Sequence, residues 1–183
     1  MGGYKDLVVY RLAVTIDDGT YLFCKKFLPD YADKRTVEQM IQASRSGKQN
    51  IVEGSLEKSC ESNIKLTGVG RASYGELIED FLDFLRRRNL PVWDKNDPRV
   101  LKIRAFRESV ENPTNLTNLS NWSNLNLENS QHFSNLMLCL LYKETFLLDS
   151  LLRAQEKMFV EQGGFRENLF RKRREFLNRN LSN

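Results

Sequence analysis

Apolar residues recur along the chain at spacings of three and four, and stretches alternating with period two are nearly absent, so the pattern predicts helices. A first helix is expected over residues 5–28, ended by Pro29, which cannot continue it. Its apolar positions Val9, Leu12, Ala13, Ile16, Phe23 and Phe27 form one stripe; Leu7, Tyr10, Val14, Tyr21 and Leu28 form a second beside it. A surface helix needs one stripe about 100° wide. Two adjacent stripes mean either deep burial or cover by a partner chain. A second helix is expected over residues 33–56 and a third over 59–89, where Pro91 and Trp93 break the pattern. Asp97-Pro98 then reads as an N-cap followed by proline at the first helical position, opening a short basic helix that runs to about residue 110.

Residues 112–130, "NPTNLTNLSNWSNLNLENS", are of another kind, with seven asparagines in near-triplets. Asparagine favours turns over helix interiors, so a low-complexity exposed insertion is expected there. A fourth helix follows over 130–161, its seam Phe133, Met137, Leu140, Glu144, Leu147, Leu151, Ala154 and Met158 spaced like a heptad with one acid. Gly163-Gly164 ends it, and a basic amphipathic tail carries Phe165, Leu169 and Phe176 on one side. The expected class is all-α: an antiparallel four-helix bundle over 1–162, with an extra short helix and the insertion, then a C-terminal tail over 163–183.

Within "IQASRSGKQNIVEGS", residues 41–55, the helix accepts two glycines, each costing about 1 kcal/mol relative to alanine. Ala43, Gly47, Asn50 and Gly54 are spaced by four, three and four, and therefore share a face. Gly68, Ala72 and Gly75 form a similar stripe on the third helix. Two such stripes would let the helix backbones approach more closely than the usual 8–10 Å, with Asn50 bonding across to backbone or to a neighbouring chain. A phosphate loop fails the same residues: Gln42 stands at the first glycine, Gln49 follows Gly47-Lys48, and the context is helical.

With 40% hydrophobic and 28% charged residues, the composition is that of an ordinary globular chain long enough for one core. "MGGYKDLVVY" carries no basic leader before an apolar run, and Asp6 breaks the myristoylation pattern. Lys143, Glu144 and Asp149 interrupt the most apolar region, so no membrane span or membrane partner is expected. Cys24, Cys60 and Cys139, odd in number and far apart, suit reduced thiols in a cytoplasmic setting.

Positive charge is concentrated in two blocks. Residues 86–107 carry Arg86, Arg87, Arg88, Lys95, Arg99, Lys102, Arg104 and Arg107 against Asp94 and Asp97, a net +6. Residues 165–183 carry Arg166, Arg171, Lys172, Arg173, Arg174 and Arg179 against Glu167 and Glu175; their +4 equals the net charge of the whole chain. Such blocks either neutralise phosphates or are solvated helix ends. Arg86, Arg87, Arg88, Arg99, Lys102, Arg104 and Arg107 are the expected phosphate contacts, supported by Arg171, Lys172, Arg173 and Arg174. Trp93 and Trp122 are candidates to stack on bases, with core packing the alternative for Trp93.

Catalytic chemistry finds no footing. A di-iron bundle needs inward Glu and Glu-x-x-His motifs, whereas the single histidine, His132, has Asn129 three residues before it. Glu76, Glu79, Asp80 and Asp83 form an acidic arc facing away from the apolar side of the third helix, either a solvated face or an ion-pair surface for a neighbouring subunit's arginines. One histidine and no close cysteine pair leave no zinc site, and no Ser, Cys or Thr has a base nearby in sequence. No catalytic residue, metal or cofactor is expected. Glu144, in the fourth-helix seam, needs a partner if buried; Arg45, Lys48 and Arg71 are the candidates.

"NIVEG" at 50–54 resembles the Asn-Ile-x-Glu-Gly signature of bacterial four-helix-bundle proteins encoded in intervening sequences of ribosomal RNA genes. "YKDLVVYRLA" is similar to that family's opening and "GRASYGELIEDF", 70–81, to its third-helix segment; the insertion and basic tail resemble its longer "suffix" variants. The resemblance implies an antiparallel bundle assembling into a ring, typically a homopentamer. One branch is the accessory variability protein of diversity-generating retroelements, which presents a basic barrel to a reverse transcriptase and its RNA or DNA template. The expected function is therefore a non-enzymatic oligomer binding nucleic acid or a nucleic-acid enzyme; the alternative is a protein–protein adaptor whose basic blocks only solubilise it.

Overall fold

The computed structural model describes residues 3–107, 114–116 and 124–181. It is all-helical among these residues: α1 (Val8–Phe27), α2 (Lys34–Leu56), α3 (Cys60–Arg87), α4 (Pro98–Ala105), α5 (Ser130–Gln162) and α6 (Phe165–Leu181). Two 3-10 turns, Tyr4–Asp6 and Tyr31–Asp33, lead into α1 and α2, so the first helix starts later than its periodicity suggests.

Local chemistry sets the helix ends. Ser59 caps α3 by accepting from the Ser62 N–H at 3.3 Å. The far end of α3 closes with Asn89 in the left-handed region at φ 52°. There the Leu90 N–H donates to the Leu85 carbonyl at 2.9 Å and the Asn89 N–H to the Arg86 carbonyl at 3.2 Å, the paired bonds of a Schellman motif. Asn129 accepts from the His132 N–H at 3.0 Å to open α5, and Gly163, at φ 75°, ends it.

The four long helices pack side by side in an antiparallel sense. Residues late in α1 meet residues early in α2, as when Cys24 lies 3.9 Å from Met40 sulfur to sulfur. Gly54, late in α2, faces Asn63, early in α3; Cys60, at the start of α3, meets the Gln155 carbonyl late in α5. Phe133 at the start of α5 packs edge-on to Phe23 near the end of α1, which closes the circuit. Two ion pairs tie neighbours together, Asp17 with Lys48 between α1 and α2 and Arg71 with Asp149 between α3 and α5.

The wide apolar face of α1 is mostly buried within the chain itself. Val9, Leu12, Ala13, Ile16 and Phe23 are in the core, Leu28 is buried, and Leu7, Tyr10, Val14 and Phe27 pack half-buried, whereas Tyr21 stays exposed. Part of the cover comes from the asparagine-rich segment: the Thr15 hydroxyl donates to the Thr114 carbonyl at 2.8 Å. Thr114 and Leu125 are buried, and Leu116 and Leu127 pack against the core. The expected exposed insertion is thus anchored in its described parts, because its leucines find apolar surface on the core, Leu116 beside Gly19 of α1. Its residues 112, 113 and 117–123, Trp122 among them, and the predicted end of the short helix at 108–110 lie outside the described residues.

The small-residue stripes divide. On α2, Ala43, Gly47 and Gly54 are buried as expected. On α3 the expected stripe is on the wrong face: a Cβ at Gly68 or Gly75 would meet nothing within 4 Å, and Ala72 is exposed. The residue that meets α2 is Gly70, whose added Cβ would lie 3.1 Å from the Gly47 carbonyl oxygen. Gly47 itself accommodates the ring of Tyr74, so the space over Gly47 Cα is filled by a large side chain while its carbonyl meets the bare backbone of Gly70. Asn50 bonds back to its own helix, donating to the Ser46 carbonyl at 2.8 Å, not across to another element.

The α5 seam holds as far as Glu144, which is 0% exposed. Beyond it the buried positions are Thr145, Leu148 and Gln155, while Ala154 and Met158 turn outward and Leu147 and Leu151 are half-buried. A straight α-helix drifts about 20° per heptad, which carries the expected seam off the core. Lys48 and Arg71, two candidate partners for Glu144, pair instead with Asp17 and Asp149.

Candidate functional site

Three elements meet at one end of the bundle: the extended segment 90–97 after α3, the short helix α4, and the first turns of α5. Asn135, buried on α5, fixes the segment by accepting from the Trp93 N–H at 2.7 Å and donating to the Pro91 carbonyl at 3.1 Å. Val100 and Ile103 seat α4 in the core. The other end of α4 is strapped down by Lys143, whose ammonium donates to the Phe106 carbonyl at 2.6 Å and lies 5.6 Å from the Phe106 ring centroid.

Between these elements opens a groove of about 570 Å³. Val100, Leu138 and Cys139 make an apolar floor, and Trp93 forms one wall. Tyr142 and Phe146, one turn apart on α5, are 51% and 66% exposed at the rim. Lys95, Arg104 and Lys143 supply three cations, and among the described residues none that lines the groove is a carboxylate; the nearest influence of one is Glu79, whose charge acts on Tyr142 at the rim. A volume of this size is ordinary for a ligand cleft; the unusual feature is the one-signed charge around an aromatic rim.

Trp93 and Arg99 are held rigidly beside it. The Arg99 guanidinium sits 4.0 Å from the Trp93 ring centroid, a cation–π contact, and donates to Asp97 at 2.7 and 3.0 Å. Asp97 also caps α4, accepting from the Arg99 N–H at 2.8 Å. Hydrogen bonding from Arg99 holds the Asp97 carboxyl down at about 2. Because the unfolded carboxyl titrates near 3.9, the capped state gains stability above pH about 4 and loses it as pH falls toward 2. Carboxyl-carbon chemical shifts followed through acid should therefore place the Asp97 midpoint near 2; a midpoint near 4 would remove the Arg99 pair. His132 packs edge-on to Trp93, and burial and then the nearby Arg99 charge lower its pKa, so the ring is neutral at pH 7.

The other expected phosphate contacts are distributed unevenly. Arg86 and Arg87 both bond to Asp83 on their own helix, and Arg88 lies 3.9 Å from the Phe84 ring centroid. All three are exposed; exposed pairs of this kind contribute at most about 1 kcal/mol, so an anion can displace them. Lys102, Arg104 and Arg107 are exposed on or just after α4, Arg104 at the groove itself. Arg171, Lys172, Arg173 and Arg174 are exposed on α6. That helix starts at the opposite end of the bundle, where the Glu61 carboxylate accepts from the Phe165 backbone N–H. Twenty residues of α5 between Tyr142 and Gln162 set its start about 30 Å from the groove. The two basic blocks therefore begin at opposite ends, not on one patch.

Nucleophiles near the groove are quiet. Burial pushes the Cys139 thiol up to about 12, and burial does the same to Cys24. Among the described residues no group of three or more His, Cys, Asp and Glu side chains could hold a metal ion. None of the described helices is long and apolar enough to cross a membrane. Lys143, Tyr142, Phe146 and Asn135 were not among the residues expected from sequence, and Lys95 was counted in the basic block without being expected as a contact. The available signal was two aromatics four apart, flanking a lysine and lying outside the seam. No protein-family model, curated protein or solved structure matches the chain.

Proposed function

We propose that this protein is a non-enzymatic nucleic-acid-binding bundle that holds a strand, or a strand and the enzyme acting on it, against a rigid basic surface. The observation that carries the reading is the groove: three cations and an aromatic rim, with no carboxylate among the described lining residues, built on elements locked by Asn135, Asp97 and Lys143. Phosphate neutralisation needs the cations, and aromatic faces add sequence-tolerant base contacts. The resemblance to ribosomal RNA intervening-sequence proteins supports a four-helix bundle assembled as a homo-oligomer, a homopentamer by that likeness. The retroelement branch makes a reverse transcriptase the concrete protein partner. In a ring, weak contacts at each copy would add through effective concentration.

Fluorescence anisotropy with labelled oligonucleotides tests the reading. Affinity should fall steeply with salt, by roughly one unit of log–log slope per phosphate neutralised. Reversing Lys95 and Arg104 together to glutamate should weaken binding by about tenfold or more and flatten that slope by about two units. Binding that ignores salt and survives the double reversal would sink the reading and favour the adaptor alternative, in which the basic blocks only solubilise the protein. A reverse-transcriptase gene beside the coding region would support the retroelement partner.

A further inference from the structure

We infer, building on the nucleic-acid reading, that the groove takes an unpaired base, so that the protein selects single-stranded nucleic acid over duplex. A duplex offers phosphates on a convex rod and keeps its base faces stacked inside. A cation patch on a helix surface serves that partner, and the exposed Arg86, Arg87 and α6 residues are of that type. The groove is different. It is concave, its floor of Val100, Leu138 and Cys139 is apolar, and its rim carries two exposed aromatic side chains.

Apolar floor and flat rim have no counterpart on a duplex exterior, but they complement the face of a base turned out of its stack. Single strands are recognised by this combination of aromatic platforms and a cationic track. Tyr142 and Phe146 stand four residues apart, hence on one face of α5. Arg104, projecting from α4, and Lys95, from the preceding segment, border the same cavity and are placed for the flanking phosphates. Trp93 is pinned by Arg99 and by its backbone bond to Asn135, so the wall does not have to be ordered when the strand arrives.

The test compares a labelled single strand of about 16 nucleotides, the upper end of single-strand site sizes, with a blunt duplex of the same sequence at fixed salt. DNA and RNA strands are run in parallel, and tight binding of either supports the proposal. The single strand should bind at least about tenfold more tightly than the duplex. Tyr142→Ala with Phe146→Ala should remove most of that preference while leaving duplex affinity within about twofold, since both residues are exposed and outside the core. Equal binding of strand and duplex, with the aromatic variant silent, would overturn the unpaired-base inference and leave the nucleic-acid reading standing. Failure to bind either form would overturn both.

Discussion

Gly47→Ala is expected to destabilise the protein by about 2 kcal/mol, although alanine is the better helix former by about 1 kcal/mol. The cause is the Tyr74 ring. An added methyl group would sit 2.6 and 2.8 Å from its Cε1 and Cε2 atoms, with Cζ closer still. The ring has nowhere to retreat, because Tyr74 is fully buried and the α2 and α3 backbones are already close at Gly47 and Gly70. Overpacking therefore outweighs the propensity gain. Gly68→Ala and Gly75→Ala provide the contrast. Neither methyl group would meet anything within 4 Å, so both should gain up to about 1 kcal/mol. Urea unfolding of the three variants should give opposite signs. On a Tyr74→Ala background the Gly47 substitution should turn stabilising, which separates ring clash from any general intolerance of α2. If Gly47→Ala is as stable as the parent, Tyr74 does not occupy that space in solution.

That contrast also explains what the sequence could convey. Spacing of small residues places Gly68, Ala72 and Gly75 on one face, but it does not say which way the face points. Orientation is decided by the large residues that need a hole: Tyr74 fills the gap over Gly47, and Thr67, Gly70, Ser73, Leu77 and Ile78 are buried around it. Helix ends were legible where their causes are local, as with Asp97-Pro98 and Gly163-Gly164. The seam of α5 was legible for its first three turns and then drifted, since a strict heptad and a straight helix fall out of register. A smaller part of the groove was legible, through Arg104 of α4 and the tryptophan before it. The rest was not, because Tyr142, Lys143 and Phe146 are about forty positions further on and join the site only when α4 packs on α5. Charge counting likewise merged two basic blocks that begin at opposite ends of the fold, and it could not see Asp83 and Asp97 holding three of the arginines.

Phe23→Ala should have the largest effect, a loss of about 3–5 kcal/mol. Phe23 is 0% exposed, and its ring lies 5.2, 4.9, 4.8 and 5.7 Å from those of Phe27, Phe81, Phe84 and Phe133. One side chain thus joins α1, α3 and α5 at the groove end. Edge contacts of this kind contribute beyond the area they bury, and a hole bounded by four stiff rings cannot collapse cheaply. Against a typical domain stability of about 5–15 kcal/mol, the loss is a large fraction of the total. Its reach should extend to the site, because Phe84 supports Arg88 from below and Phe133 adjoins His132, which packs on Trp93. Loosening the hub frees the last turn of α3 and the first of α5, and with them the frame that carries Lys95 and Arg104. At temperatures where the variant is still folded, oligonucleotide affinity should fall although no contact residue has changed. Phe23→Leu, which keeps most of the buried volume, should lose less stability and retain binding. A Phe23→Ala protein that melts within a few degrees of the parent would mean that the four rings do not pack around Phe23, and the groove would then need another foundation.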